Sequence, residues 1–94
     1  MDYPKLVELV PDEKLGPLSD QLLSFILTTK NEGKMPTKLA NTMLSKMQQG
    51  AIKSKTGVEI LLEAAILLEP EKTMTAIGEM QMPQLAEEIK KGGT

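Results

Sequence analysis

The longest apolar run in the chain is Gly57-Val58-Glu59-Ile60-Leu61-Leu62-Glu63-Ala64-Ala65-Ile66-Leu67-Leu68, closed by Glu69-Pro70. Placed on a helix at 100° per residue, Glu59 and Glu63 fall together, flanked by Ile66 and Leu67. The rest of the circumference is apolar apart from Gly57. A helix that is apolar on nearly every side is a buried one. Thr56-Gly57-Val58-Glu59 matches a capping box, in which a Ser/Thr hydroxyl and a Glu three residues later satisfy each other's free backbone N–H groups. Pro70 stops the run, because it lacks an N–H and disfavours helical geometry at Glu69. The length, the box and the Ala64-Ala65 pair favour a helix over a buried strand. The run falls short of the roughly 20 apolar residues that a membrane span requires.

Other segments alternate at helical spacing on one face only. Tyr3 to Val10 predicts a short helix, with Pro4 at its first position and Leu6, Val7, Leu9 and Val10 on one side. Pro11 ends it, Asp12 and Glu13 suit a new helical start, and Gly16-Pro17 reads as a further break. Ser19 is then the expected N-cap of a second main helix running to about Lys30. Its stripe is Leu18, Leu22, Leu23, Phe25, Ile26 and Leu27, and Gly33 is its left-handed stop. Leu39, Ala40, Met43, Leu44 and Met47 predict a third helix over 37–49, opened by Pro36 and ended by Gly50. After Pro70, Glu71 to Met80 forms a helix carrying Met74, Ile77 and Met80 on one side. Pro83 opens the last helix, with Leu85, Ala86 and Ile89 inward and Lys90-Lys91 at its C-terminal end.

The expected fold is therefore all-α: one domain over residues 1–94, a bundle of five or six short helices packed on a buried central helix at about 57–69, with 91–94 as a frayed tail. Two internal echoes accompany it. Pro4-x-Leu6-Val7-Glu8-x-Val10 parallels Pro83-x-Leu85-Ala86-Glu87-x-Ile89, and Val10-Pro11-Asp12-Glu13-Lys14 loosely parallels Glu69-Pro70-Glu71-Lys72. Both are short and made of common helix-start residues, and no repeat of 20–50 residues is present.

Composition narrows the chemistry. Tyr3 and Phe25 are the only aromatics, so the core must be built from aliphatic residues and methionine. Cys, His, Trp and Arg are all missing. The usual general bases and thiol nucleophiles are thereby excluded, as are thiolate and imidazole metal ligands. Glu59 and Glu63 lack the histidine that usually completes a carboxylate metal site in a bundle. Ser19 and Ser24 lie near Asp20, but Ser19 is explained as a cap. The glycines are scattered single breakers, so no phosphate-cradling loop exists. No enzyme activity, cofactor, metal or small-molecule substrate is expected. The absence of cysteine, of a secretory signal and of a membrane span points to a cytoplasmic setting.

Charge is unevenly spread although the net value is only −2. Residues 1–28 carry two lysines against five acidic groups, 29–57 six lysines against Glu32 alone, and 58–94 three lysines against seven glutamates. A basic middle between acidic ends can complement itself within or between copies. Lys30, Lys34, Lys38, Lys46, Lys53 and Lys55 offer a surface for phosphate backbones. Against that reading stand the missing arginine and aromatics, and a connector from Gly50 to Thr56 too long for a helix–turn–helix.

Seven methionines in 94 residues is a high count. Met35, Met43 and Met47 lie on or beside the third helix, and Met74, Met80 and Met82 on or beside the fifth. Methionine is adaptable and recurs on surfaces that accept partner helices, although it also fills cores that lack aromatics. The sequence thus predicts a non-enzymatic interaction or assembly module, a homodimer or the binder of a protein partner through a Met-lined surface. Weak nucleic-acid binding through the lysines is the alternative.

Overall fold

The computed structural model describes residues 2–39, 41, 43 and 54–92. Five helices are complete among them: α1 (Tyr3–Glu8), α2 (Asp12–Asn31), α3 (Lys55–Leu68), α4 (Pro70–Glu79) and α5 (Pro83–Gly92). All regular structure in the described residues is helical, and the radius of gyration of 12.3 Å is that of one compact domain of this length. Thr37 to Leu39, Asn41 and Met43 are helical as well; the rest of the helix expected over 37–49 lies outside the described residues.

The central position of α3 is confirmed. Val58, Leu61, Leu62, Ala64 and Ala65 are buried, and α3 packs most extensively on α2, then on α1 and α4. Its start differs from the expectation. Ser54, not Thr56, is the N-cap: its hydroxyl accepts from the Gly57 N–H at 3.1 Å, and Thr56 stands exposed within the first turn. Both residues precede the apolar run and either hydroxyl suits a cap. Starting at Lys55 lengthens the helix by two residues, about half a turn, and lets Lys55 reach Glu8. The all-round burial also has a gap. Leu67 is 68% exposed, on the strip it shares with Glu63 one turn earlier.

The largest correction is α2. The chain does not break at Gly16-Pro17, and Ser19 is no cap. One helix of 20 residues, about 30 Å long, runs from Asp12 through Pro17 to Asn31, with Ser19 fully buried inside it. Proline in a helix interior removes one hydrogen bond and crowds the carbonyl four residues back. The competing gain is burial. A continuous helix aligns Leu18, Leu22 and Ile26 on one buried stripe, with Leu15 packed against the core a turn earlier. Fully burying each large aliphatic side chain is worth about 1.5–3 kcal/mol, so the stripe outweighs one proline. At the other end the expectation holds. Gly33 takes φ +72°, its N–H donates to the Lys30 carbonyl at 2.9 Å, and Lys34 N–H donates to that of Thr29 at 3.1 Å. That pair of bonds is a Schellman motif.

A second Schellman motif closes α4. Gln81 N–H donates to Gly78 O at 3.1 Å and Met82 N–H to Ile77 O at 3.3 Å, with Gln81 itself at φ +60°. Lys14, in the first turn of α2, steadies this turn: its ammonium donates to the carbonyls of Met80 at 2.6 Å and Gln81 at 3.4 Å. The corner between α3 and α4 is tied by Thr73, which is fully buried and whose hydroxyl lies 2.7 Å from Glu69 O and 3.1 Å from Ala65 O. The inward residues of α4 are Thr73, Ala76 and Ile77, with Met74 half-buried beside them. α5 reaches Gly92, so Lys91 and Gly92 are helical where a tail was expected.

Candidate functional site

Helix directions decide which surface stays open. The Thr29 hydroxyl donates to the Glu69 carboxylate at 3.3 Å, which sets the C-terminal ends of α2 and α3 side by side. Lys14, near the start of α2, reaches the end of α4, so α4 returns along the bundle and α2 and α3 run parallel. Leu27 and Leu67 each stand two residues before this tie, about 3 Å below it along the pair, and about 200° round their own helices from the tying side chains, so each faces away from the other helix. They are the large apolar residues most open to solvent among the described ones, 46% and 68% exposed.

α1 explains why Leu67 is left open. It lies antiparallel on α3: Glu8 at its C-terminal end pairs with Lys55 at 3.2 Å, and Tyr3 at its N-terminal end feels the charge of Glu63. Burial, and secondarily Glu63, push the Tyr3 hydroxyl above its ordinary 10.0. α1 therefore runs alongside α3 with Tyr3 near Glu63, which itself stays exposed. α1 has only six residues, about 9 Å, against 14 residues in α3. It begins at Tyr3, where the Asp2 carboxylate caps it by accepting from Lys5 N–H at 3.3 Å. Leu67 lies one turn past Glu63, beyond the reach of α1.

The methionines sit elsewhere. Met43 and Met82 are each only 4% exposed, and Met35, Met74 and Met80 are half-buried and packed against the core. Met47 lies outside the described residues. The described methionines thus supply volume that aromatics would otherwise fill, rather than one exposed stripe.

The lysines are dispersed. Lys34 pairs with Glu32 at 3.1 Å and Lys55 with Glu8 at 3.2 Å, Lys30 is exposed on α2, and Lys38 is exposed on the helical turn at 37–39. Lys46 and Lys53 lie outside the described residues. Lys34 and Lys55 therefore spend their charge on carboxylates.

Depressions occur among the described residues. An open groove of about 900 Å³ separates α1 from α5, floored by Leu6, Leu9 and Pro83 and edged by Lys5, Glu87 and Glu88. A smaller one of about 400 Å³ lies between α2 and α4 beside Phe25. Among the described residues no three potential metal ligands cluster, every buried side-chain polar atom has a hydrogen-bond partner, and no helix is long and apolar enough to cross a membrane.

The signal for the open leucines was present in the sequence at Leu67, which falls i+4 from Glu63. For Leu27 it was hidden, because a broad apolar stripe on α2 gives no sign of which edge a neighbour covers. No protein-family model matches the chain, and neither the curated proteins nor the solved structures contain a match to it.

Proposed function

We propose that the chain is a non-enzymatic helical assembly module that associates with a second copy of itself through its exposed leucines, Leu27 on α2 and Leu67 on α3. The observation that carries this reading is the exposure of these two leucines, when the other large aliphatic side chains among the described residues are buried or half-buried. Exposed aliphatic surface on a small domain is what self-association removes from water. A chain of 94 residues supports only one small core and has no cysteine for disulfides, so assembly would add to its stability. The uneven charge, basic in the middle and acidic at both ends, gives a second copy complementary partners. The cysteine-free composition supports a cytoplasmic setting.

Light scattering after gel filtration tests the reading. The wild type should be a dimer, and the double variant Leu27→Lys, Leu67→Lys a monomer. Its unfolding midpoint, measured where the wild type is monomeric, should be nearly unchanged, because both sites are exposed. A wild type that stays monomeric as concentration is raised, or a dimer indifferent to both lysines, refutes it.

A further inference from the structure

Leu27 and Leu67 face away from each other on the α2–α3 pair, so one neighbouring copy cannot seat on both at once. Association through them therefore takes one of two forms. Either like patches meet, Leu27 on Leu27 or Leu67 on Leu67, or each copy offers its Leu27 to the Leu67 of the next. The charges beside the leucines separate the two. On α2, exposed Lys30 follows Leu27 by one turn, and half-buried Leu23 precedes it by one turn. On α3, exposed Glu63 precedes Leu67 by one turn, and half-buried Glu59 and Ile60 continue the same face. Neither Lys30 nor Glu63 forms an ion pair among the described residues. Like patches bring lysine towards lysine or glutamate towards glutamate. Unlike patches bring opposite charges together, which is the arrangement that steers specific contacts.

From this geometry we infer that the copies join head to tail: α2 of one lies antiparallel on α3 of the next, with Leu27 against Leu67 and Lys30 against Glu63. This rests on the self-association reading and fixes its geometry. Lys30 stands about 4.5 Å past Leu27 along its helix, and Glu63 about 6 Å before Leu67, so antiparallel packing brings the two charges to nearly one level. They are also rotated from their leucines in the same sense, by about 60° and about 40°. Two antiparallel helices turn that shared sense to the same side of the contact, whereas parallel packing separates the charges in level and in side. Asp20 lies about 10 Å before Leu27, on the far side from Lys30, and stays clear of Glu63. A first pair joined in this way leaves one patch of each kind free at its ends. The dimer is therefore the first species to form, and further copies add to it as concentration rises.

Sedimentation equilibrium of the full chain tests the contact. The average mass of the wild type should rise past that of a dimer with concentration. Leu27→Lys and Leu67→Lys should each be monomeric alone, and their equimolar mixture should form a pair and nothing larger, because each variant keeps the patch that the other has lost. Lys30→Glu and Glu63→Lys should each weaken association about five- to tenfold. The Lys30→Glu, Glu63→Lys double variant should recover wild-type assembly, since every contact again joins opposite charges. These side chains are exposed, so the substitutions leave the core in place. A leucine variant that still dimerises alone, a wild type that stops at the dimer at every concentration, or a mixture that stays monomeric while the wild type assembles overturns the head-to-tail contact and leaves self-association standing. A double charge variant no tighter than the single ones does the same. A wild type that is monomeric throughout overturns both.

Discussion

Pro17→Ala is expected to make the protein more stable, and the size of the gain measures how α2 is built. Pro17 is the sixth residue of α2, past the four whose N–H groups lack helical partners in any helix. Its nitrogen cannot donate to the Glu13 carbonyl, and its ring presses on that same oxygen. In a helix interior alanine is favoured over proline by about 3 kcal/mol. Two effects reduce that figure. Glu13 is exposed, so its carbonyl can turn to water, and the joint lies near the helix start. Alanine also returns about 0.4–1 kcal/mol of conformational freedom to the unfolded chain. The expected gain is about 1–2 kcal/mol, or a rise in Tm of roughly 4–16 °C for a domain of this size. Urea unfolding followed by far-ultraviolet circular dichroism gives the value, with an unchanged m indicating that the folded and unfolded states remain the same. Leu18→Ala serves as the reference in the opposite direction. Leu18 is fully buried, and its truncation should cost about 2–5 kcal/mol. A Pro17→Ala variant less stable than the wild type would show that residue 17 occupies a turn between two helices, and α2 would not be continuous.

The two candidate caps of α3 separate cleanly. Ser54→Ala should cost about 1 kcal/mol, because the Gly57 N–H loses its acceptor, while Thr56→Ala should be neutral or slightly stabilising at an exposed helical position; the reverse order in chemical denaturation would restore the capping box. Tyr3 makes stability depend on pH at the alkaline end. The folded protein holds the phenolic proton to higher pH than the unfolded chain, so stability present below about pH 10 falls as pH rises through the raised folded value. Tyr3→Phe should remove that part of the fall, and identical slopes for both proteins between about pH 8 and about pH 11 would refute the assignment.

Much of the fold was legible because local signals agreed. Pro4, Pro70 and Pro83 open helices in the structure as their positions predict, Gly33 takes the left-handed stop, and the apolar run at 57–68 is the central helix. The misreadings share one cause. Gly16-Pro17 and Ser19 are locally a break and a cap, and local rules were overruled by a stripe of leucines whose burial depends on partners distant in sequence. Thr56 lost to Ser54 for a related reason: two hydroxyls two residues apart both satisfy the local chemistry, and the longer helix adds backbone bonds. The functional surface was harder still. Composition marked methionine as the adaptable residue, but a core holding only Tyr3 and Phe25 as aromatics draws methionine inward.

The exposure of Leu67 follows from a mismatch of lengths rather than from a defect in patterning. A helix apolar on nearly every side requires neighbours on every side for its full length. α2 is long enough to flank α3 from end to end, but α1 is six residues set antiparallel from Glu8 over Lys55 to Tyr3 near Glu63. The sequence of α3 already carries this division. Along the strip beside α1, position 59 is a half-buried glutamate and position 63 an exposed one. One turn on, where α1 has ended, the next position is a leucine. Were solvent the permanent neighbour there, a third glutamate would continue the strip at no cost in packing. Leu67 therefore continues a strip that is already open to solvent at Glu63, and it is the position that the proposed self-association would cover.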